Sequence, residues 1–94
     1  MRVRWLRQAL ANLDAEAEYI AKDDAAAAGR LALRILDAVE LLKENPAVGR
    51  PGRVPLTREL VVPGTPYIVP YRVKGNVVEI LRVFHGARKW PGKF

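Results

Sequence analysis

The spacing of apolar positions changes along the chain from two, to three and four, and back to two. At the start Val3 and Trp5 alternate with Arg2 and Arg4, the period of a brief strand over residues 2–5 with one buried face. Leu6, Leu10, Leu13, Ala17 and Ile20 then recur at intervals of four and three, a stripe along one side of a helix. Lys22-Asp23-Asp24 interrupts that stripe, and either aspartate can cap a second helix by accepting from its first N–H groups. The second helix carries Ala28, Leu31, Ile35, Ala38, Val39 and Leu42 on one stripe. Asn45-Pro46 ends it, because a residue before proline avoids the helical region. Two helices joined by so short a turn form an antiparallel hairpin.

Residues 45–55 (NPAVGRPGRVP) predict a stiff loop. It carries Arg50 and Arg53, but it lacks the spacing and the terminal Lys-Ser/Thr of a phosphate-binding P-loop. Period two then returns. Residues 57–62 predict a strand with Arg58, Leu60 and Val62 on one face, and 63–66 a turn. Residues 67–73 predict the next strand, where Pro70 costs a ladder bond and points to an edge or a bulge. Gly75-Asn76 suits a two-residue hairpin turn. Residues 77–84, rich in β-branched and large apolar side chains, predict a third strand at the sheet centre.

The turn sets a register. With Lys74 opposite Val77, one face pairs Tyr71 with Ile80, Val69 with Arg82 and Tyr67 with Phe84. The other pairs Arg72 with Glu79, Pro70 with Leu81 and Ile68 with Val83. Arg72 therefore faces a carboxylate, the simplest reading being a structural ion pair. Arg82 has no carboxylate opposite it, and reads either as a working cation or as one satisfied by a ring or a helix side chain.

Charge adds to this picture. The net charge is +6. Arg50, Arg53, Arg58, Arg72, Lys74, Arg82, Arg88, Lys89 and Lys93 face only Glu59 and Glu79 in the second half, which carries +7 against −1 before it. An electropositive sheet half suits a polyanionic partner, whether nucleic acid or an acidic protein segment. With no cysteine and one histidine, His85, thiol chemistry and a zinc site are both excluded from the expectations, and no cofactor is expected. No apolar run reaches the roughly 20 residues that span a bilayer, and the start lacks a signal-peptide pattern. The expectation is one α+β domain over residues 1–94, cytoplasmic, with an N-terminal strand, a helical hairpin and a three-stranded antiparallel sheet.

The order of elements, with NPAVGRPGRVPLTREL, PYIVPYRV and VVEILRVFHGARKW, resembles the RelE/ParE superfamily of bacterial toxins across essentially the whole chain. The motifs are Gly49-Arg50-Pro51, Tyr71-Arg72-Val73, and Leu81-Arg82-Val83-Phe84-His85 ahead of Arg88. The resemblance implies a type II toxin held inactive by a partner antitoxin, with Trp5, Leu10, Leu31 and Arg72 as candidate antitoxin contacts.

The resemblance also implies two modes of action. RelE-like members cut mRNA on the translating ribosome, which needs a proton acceptor, cations on the scissile phosphate and an acid for the leaving oxygen. An ungapped alignment through Tyr71 puts Glu59, Val61 and Ile68 where RelE carries lysines and an arginine. A nuclease here would be metal-independent and rest on His85, since free imidazole has a pKa of about 6.5, with Arg58, Arg82 and Arg88 on phosphate. ParE-like members poison DNA gyrase and need no such set. The missing cations favour the gyrase mode, ahead of the nuclease and of a small nucleic-acid-binding or structural domain.

Overall fold

In the computed structural model, which describes residues 1–87 and 94, a twisted sheet backs onto a helical hairpin. The elements are β1 (Arg2–Trp5), α1 (Arg7–Ala21), α2 (Ala25–Glu40), a 3₁₀ turn (Leu41–Lys43), β2 (Arg50–Pro51), β3 (Arg58–Val61), β4 (Tyr67–Lys74), β5 (Val77–Ile80) and β6 (Phe84–His85). In space the strands run β1-β5-β4-β3-β2, with β6 also on β4. The α+β class and the order strand, helical hairpin, antiparallel strands hold. Three features refine them: β1 lies parallel to β5, β2 comes from the stiff loop, and β4 occupies the centre in place of the last strand.

Asp24 is the aspartate that caps α2, its Oδ1 accepting the Ala27 N–H at 3.0 Å. Ile35, Val39 and Leu42 pack on Val69, Tyr71, Val78 and Ile80, all 0–1% exposed, so water is excluded along most of the helix–sheet seam. The face that α1 turns inward differs from the predicted stripe. Ala9, Leu13 and Glu16 are buried there, while Leu10 is 46% exposed. Two polar side chains one turn apart help fix that rotation. Asn12 Oδ1 accepts from the Val83 N–H at 3.2 Å, and the Tyr67 hydroxyl donates to Glu16 at 3.3 Å.

The hairpin register stands from Lys74↔Val77 to Tyr71↔Ile80. Gly75 takes φ +58° at the first turn position, while Asn76 keeps a negative φ, as a II′ turn requires. Beyond Ile80 the predicted pair of Pro70 with Leu81 keeps one bond, and the pairs after it are replaced by Ile68↔Phe84 and Tyr67↔His85. Leu81, Arg82 and Val83 stand against Val69 and Pro70 alone, so one residue is extra and the strand bulges.

Pro70 explains the position of that bulge. The Leu81 N–H donates to the Pro70 carbonyl at 3.0 Å, and the reciprocal bond needs an N–H that proline lacks. The Leu81 carbonyl takes the Arg82 guanidinium instead, at 2.6 Å. Arg82 therefore does not pair with Val69. Its alternate use is local, and it also lies 5.3 Å from the centroid of the Phe94 ring.

Candidate functional site

The two ends of β4 differ in how the polar side chains around them are engaged. At the end nearer the hairpin turn, Tyr71 is fully buried and its hydroxyl joins two backbone groups of the loop. It donates to the Pro46 carbonyl at 2.7 Å and accepts the Gly49 N–H at 2.8 Å. A Cβ on Gly49 would come within 2.6 Å of the Tyr71 ring, so only glycine lets the loop approach this closely. Burial pushes the Tyr71 phenol above its ordinary 10.0, with the Gly49 bond and the Arg58 charge acting the other way.

Arg58, opposite Tyr71 on β3, donates to the carbonyls of Gly49 at 2.8 Å and Ala47 at 3.3 Å. Next to it Glu59, 3% exposed, accepts from Arg50 Nε at 3.0 Å and from the Arg53 backbone N–H at 2.9 Å. The Arg53 guanidinium lies 3.7 Å from the same carboxylate. On the outer face of the sheet Arg72 donates to Glu79 at 2.6 Å, and Arg4 approaches the same carboxylate at 3.8 Å. The Arg72 hydrogen bond holds the Glu79 carboxyl below its ordinary 4.5 despite burial, with Lys74 and Arg4 assisting. Much of the positive charge counted in the second half thus serves the fold.

The other end of β4 is different. His85 on β6 lies edge-on to Tyr67, ring centroids 5.6 Å apart. Its Nδ1 accepts the Ala87 N–H at 3.2 Å, which leaves Nε2 to carry the proton of the neutral ring. His85 forms one wall of a groove of about 670 Å³ between the helical hairpin and the β3–β4 turn. Arg30, Arg34, Thr65 and the exposed Tyr19 also line it, over an apolar floor of Ile20, Ala27, Leu31 and Pro66. Arg34 donates to the Pro63 carbonyl at 3.3 Å and lies against Gly64, where an added Cβ would strike its guanidinium. Arg30 reaches Asp24 only at 4.0 Å. No carboxylate is among the described residues lining this groove.

The candidate nuclease residues are not gathered in one place. Arg58 lies opposite Tyr71 and His85 opposite Tyr67, on two sides of β4. Strand spacings separate them by about 13 Å along the strand and about 10 Å across it. Arg82 is engaged at the bulge, and Arg88 lies outside the described residues. Of the candidate antitoxin contacts, Leu31 borders the groove and Leu10 is exposed on α1. Trp5 packs against the core from β1, and Arg72 is paired with Glu79. Arg30, Arg34, Tyr19 and Thr65 were missed. The two arginines are one turn apart on α2 and off its apolar stripe, a spacing that places both on one exposed face.

The family model described as the ParE toxin of type II toxin–antitoxin systems, parDE, matches residues 3–90. The chain is 52% identical over 90 residues to the Y4kP protein of Sinorhizobium fredii, covering 96% of this chain and 93% of that one. It is 41% identical over 86 residues to toxin RelE2 of Caulobacter vibrioides, covering 92% and 96%. The fold superposes on a chain of the chromosomal ParDE toxin–antitoxin system from P. aeruginosa with a TM-score of 0.82, at 34% identity, over 90% and 95% of the two chains. The helical hairpin on its mixed sheet, the sequence match and the shared fold agree: the chain belongs to the ParE toxin family of type II toxin–antitoxin systems.

Proposed function

We propose that this toxin arrests growth in the ParE manner, by acting on DNA gyrase, and that it does not cleave mRNA on the ribosome. The observation that supports this most is Arg58, whose guanidinium is committed to the carbonyls of Ala47 and Gly49 on the far side of β4 from His85. In-line attack by a ribose hydroxyl needs a proton acceptor and phosphate-binding cations converging within hydrogen-bond reach of one reacting centre. Among the described residues His85 has neither Arg58 nor a lysine beside it, and the two arginines that share its groove are turned to Asp24 at 4.0 Å and to the Pro63 carbonyl at 3.3 Å. Arg82 offers its guanidinium to a backbone carbonyl and an aromatic ring.

The reading is tested by inducing the chain without its antitoxin and following messages and DNA in the same culture. Full-length messages, altered plasmid supercoiling and a DNA-damage response are expected. His85→Ala should still arrest growth. Discrete cuts within translated messages, abolished by His85→Ala, would establish the ribosome-dependent nuclease instead.

A further inference from the structure

We propose that the outer face of the sheet holds the phosphate backbone of duplex DNA through Arg2, Arg4, Arg72 and Lys74. That the polyanion is a DNA duplex rests on the proposed action on gyrase, whose substrate is DNA; the binding face itself is read from the strand register. β1 lies parallel to β5, with Arg2 beside Val77 and Arg4 beside Glu79. β4 lies on the other side of β5, with Lys74 beside Val77 and Arg72 beside Glu79. Alternation along each strand turns Val3, Trp5, Tyr71 and Val78 to the core and gathers these four cations on the opposite face.

The carboxylates of this face lie beneath its cations. The Glu79 side chain is 9% exposed, against 70% for Arg4, and Arg2 and Lys74 are exposed as well. Farther along the same face Glu59 is buried under Arg50 and Arg53, both about half exposed. An approaching molecule therefore meets positive charge whose neutralising groups are already covered. Five strands, β1-β5-β4-β3-β2, at about 4.8 Å spacing make the face about 19 Å wide, the length of about five base steps of a duplex. The same face is a poor seat for a protein, because a protein interface needs an apolar, dehydrated centre. Between the cations the apolar residues are Val77, half-buried, and Pro70, buried. Phosphate binding draws on charge and asks for no apolar surface. The groove at the His85 end is the opposite case, since its two arginines stand over an aliphatic floor.

The test measures binding of the full chain to a short labelled DNA duplex by fluorescence anisotropy over a range of salt. R2Q/R4Q/K74Q removes three charges from the face, and K22Q/R30Q/R34Q removes three from exposed positions on the helical hairpin. Arg72 is left in place because it holds Glu79. R2Q/R4Q/K74Q should bind about tenfold or more weakly and lose roughly two to three from the slope of log K against log salt. K22Q/R30Q/R34Q should lose less than about threefold. Equal losses in the two variants, or none in the first, would overturn the site. R2K/R4K/K74R keeps the charges and should bind like the unaltered chain; weak binding by it as well would refute a backbone contact. A tighter hold on an RNA duplex of the same sequence would overturn the choice of DNA. With gyrase and plasmid, R2Q/R4Q/K74Q should need about tenfold more protein to accumulate cleaved DNA, and an equal dose would overturn the role of this face there. Should the unaltered chain leave gyrase unaffected while R2Q/R4Q/K74Q still loses the duplex, the gyrase reading fails and the face stands.

Discussion

At the hairpin end of β4, arginine is bound to loop carbonyls and buried carboxylates; at the His85 end, it lines a groove with no carboxylate among the described residues. Arg58, Arg50 and Arg53 hold residues 46–53 against the sheet, and Tyr71 fastens the same loop from beneath. Arg30 and Arg34 hold little in place. Residue type alone does not mark a binding surface. What differs is how fully the guanidinium is engaged by its own chain, Arg58 by two loop carbonyls and Arg50 by a buried carboxylate, against one 3.3 Å bond for Arg34 and a 4.0 Å approach for Arg30.

Substitutions that sharpen this contrast should rank by how deeply each group is engaged. Tyr71→Phe leaves the Pro46 carbonyl and the Gly49 N–H without their buried partner and should cost about 1–3 kcal/mol, read as a lower denaturation midpoint with unchanged m. Gly49→Ala should cost a similar amount, about 1–3 kcal/mol from overpacking against the Tyr71 ring. Glu59→Gln removes the charge that holds Arg50 and Arg53; because both guanidiniums are about half exposed, a loss of about 1–2 kcal/mol is expected.

Glu79→Gln should be milder and pH-dependent. Its carboxyl is held below its ordinary 4.5 in the fold. The pair with Arg72 therefore contributes stability above about pH 4.5 that fades as pH falls through the lower folded value. Unfolding midpoints of Glu79→Gln and the parent chain should differ at pH 7 and converge in acid. Arg30→Gln/Arg34→Gln should shift stability by no more than about 0.5 kcal/mol, which would separate the groove from the scaffold.

The elements were legible because each has a local signal: period two, period three to four, an aspartate cap, a proline stop. Register was legible as far as Ile80, where the two-residue turn still governs pairing. Beyond it Leu81 still meets Pro70 through one bond, and the pairing then slips by one residue, at the proline whose type points to an edge or a bulge. The consequence, an extra residue opposite Val69 and Pro70, depends on which side of β4 the missing N–H faces. The stripe of α1 misled at Leu10 because Asn12 and Glu16 turn inward to bond Val83 and Tyr67, and polar residues carry no signal of that in the sequence. The groove was hidden for a different reason. Its walls come from α1, α2, the β3–β4 turn and β6, and no single stretch contains them. Arg58 looked like a candidate phosphate ligand for the same reason, since its carbonyl partners are about ten residues away in the loop.

The proposed action on gyrase, by a toxin whose arginines and histidine are apportioned in this way, is tested with purified components. Its most direct measurement incubates the purified chain with DNA gyrase and supercoiled plasmid, beside a translating extract carrying a defined message. Accumulation of gyrase-linked cleaved plasmid, relieved by antitoxin and undiminished by His85→Ala, is the predicted result with the message left intact. An unaffected gyrase together with a message cut at discrete sites would contradict it.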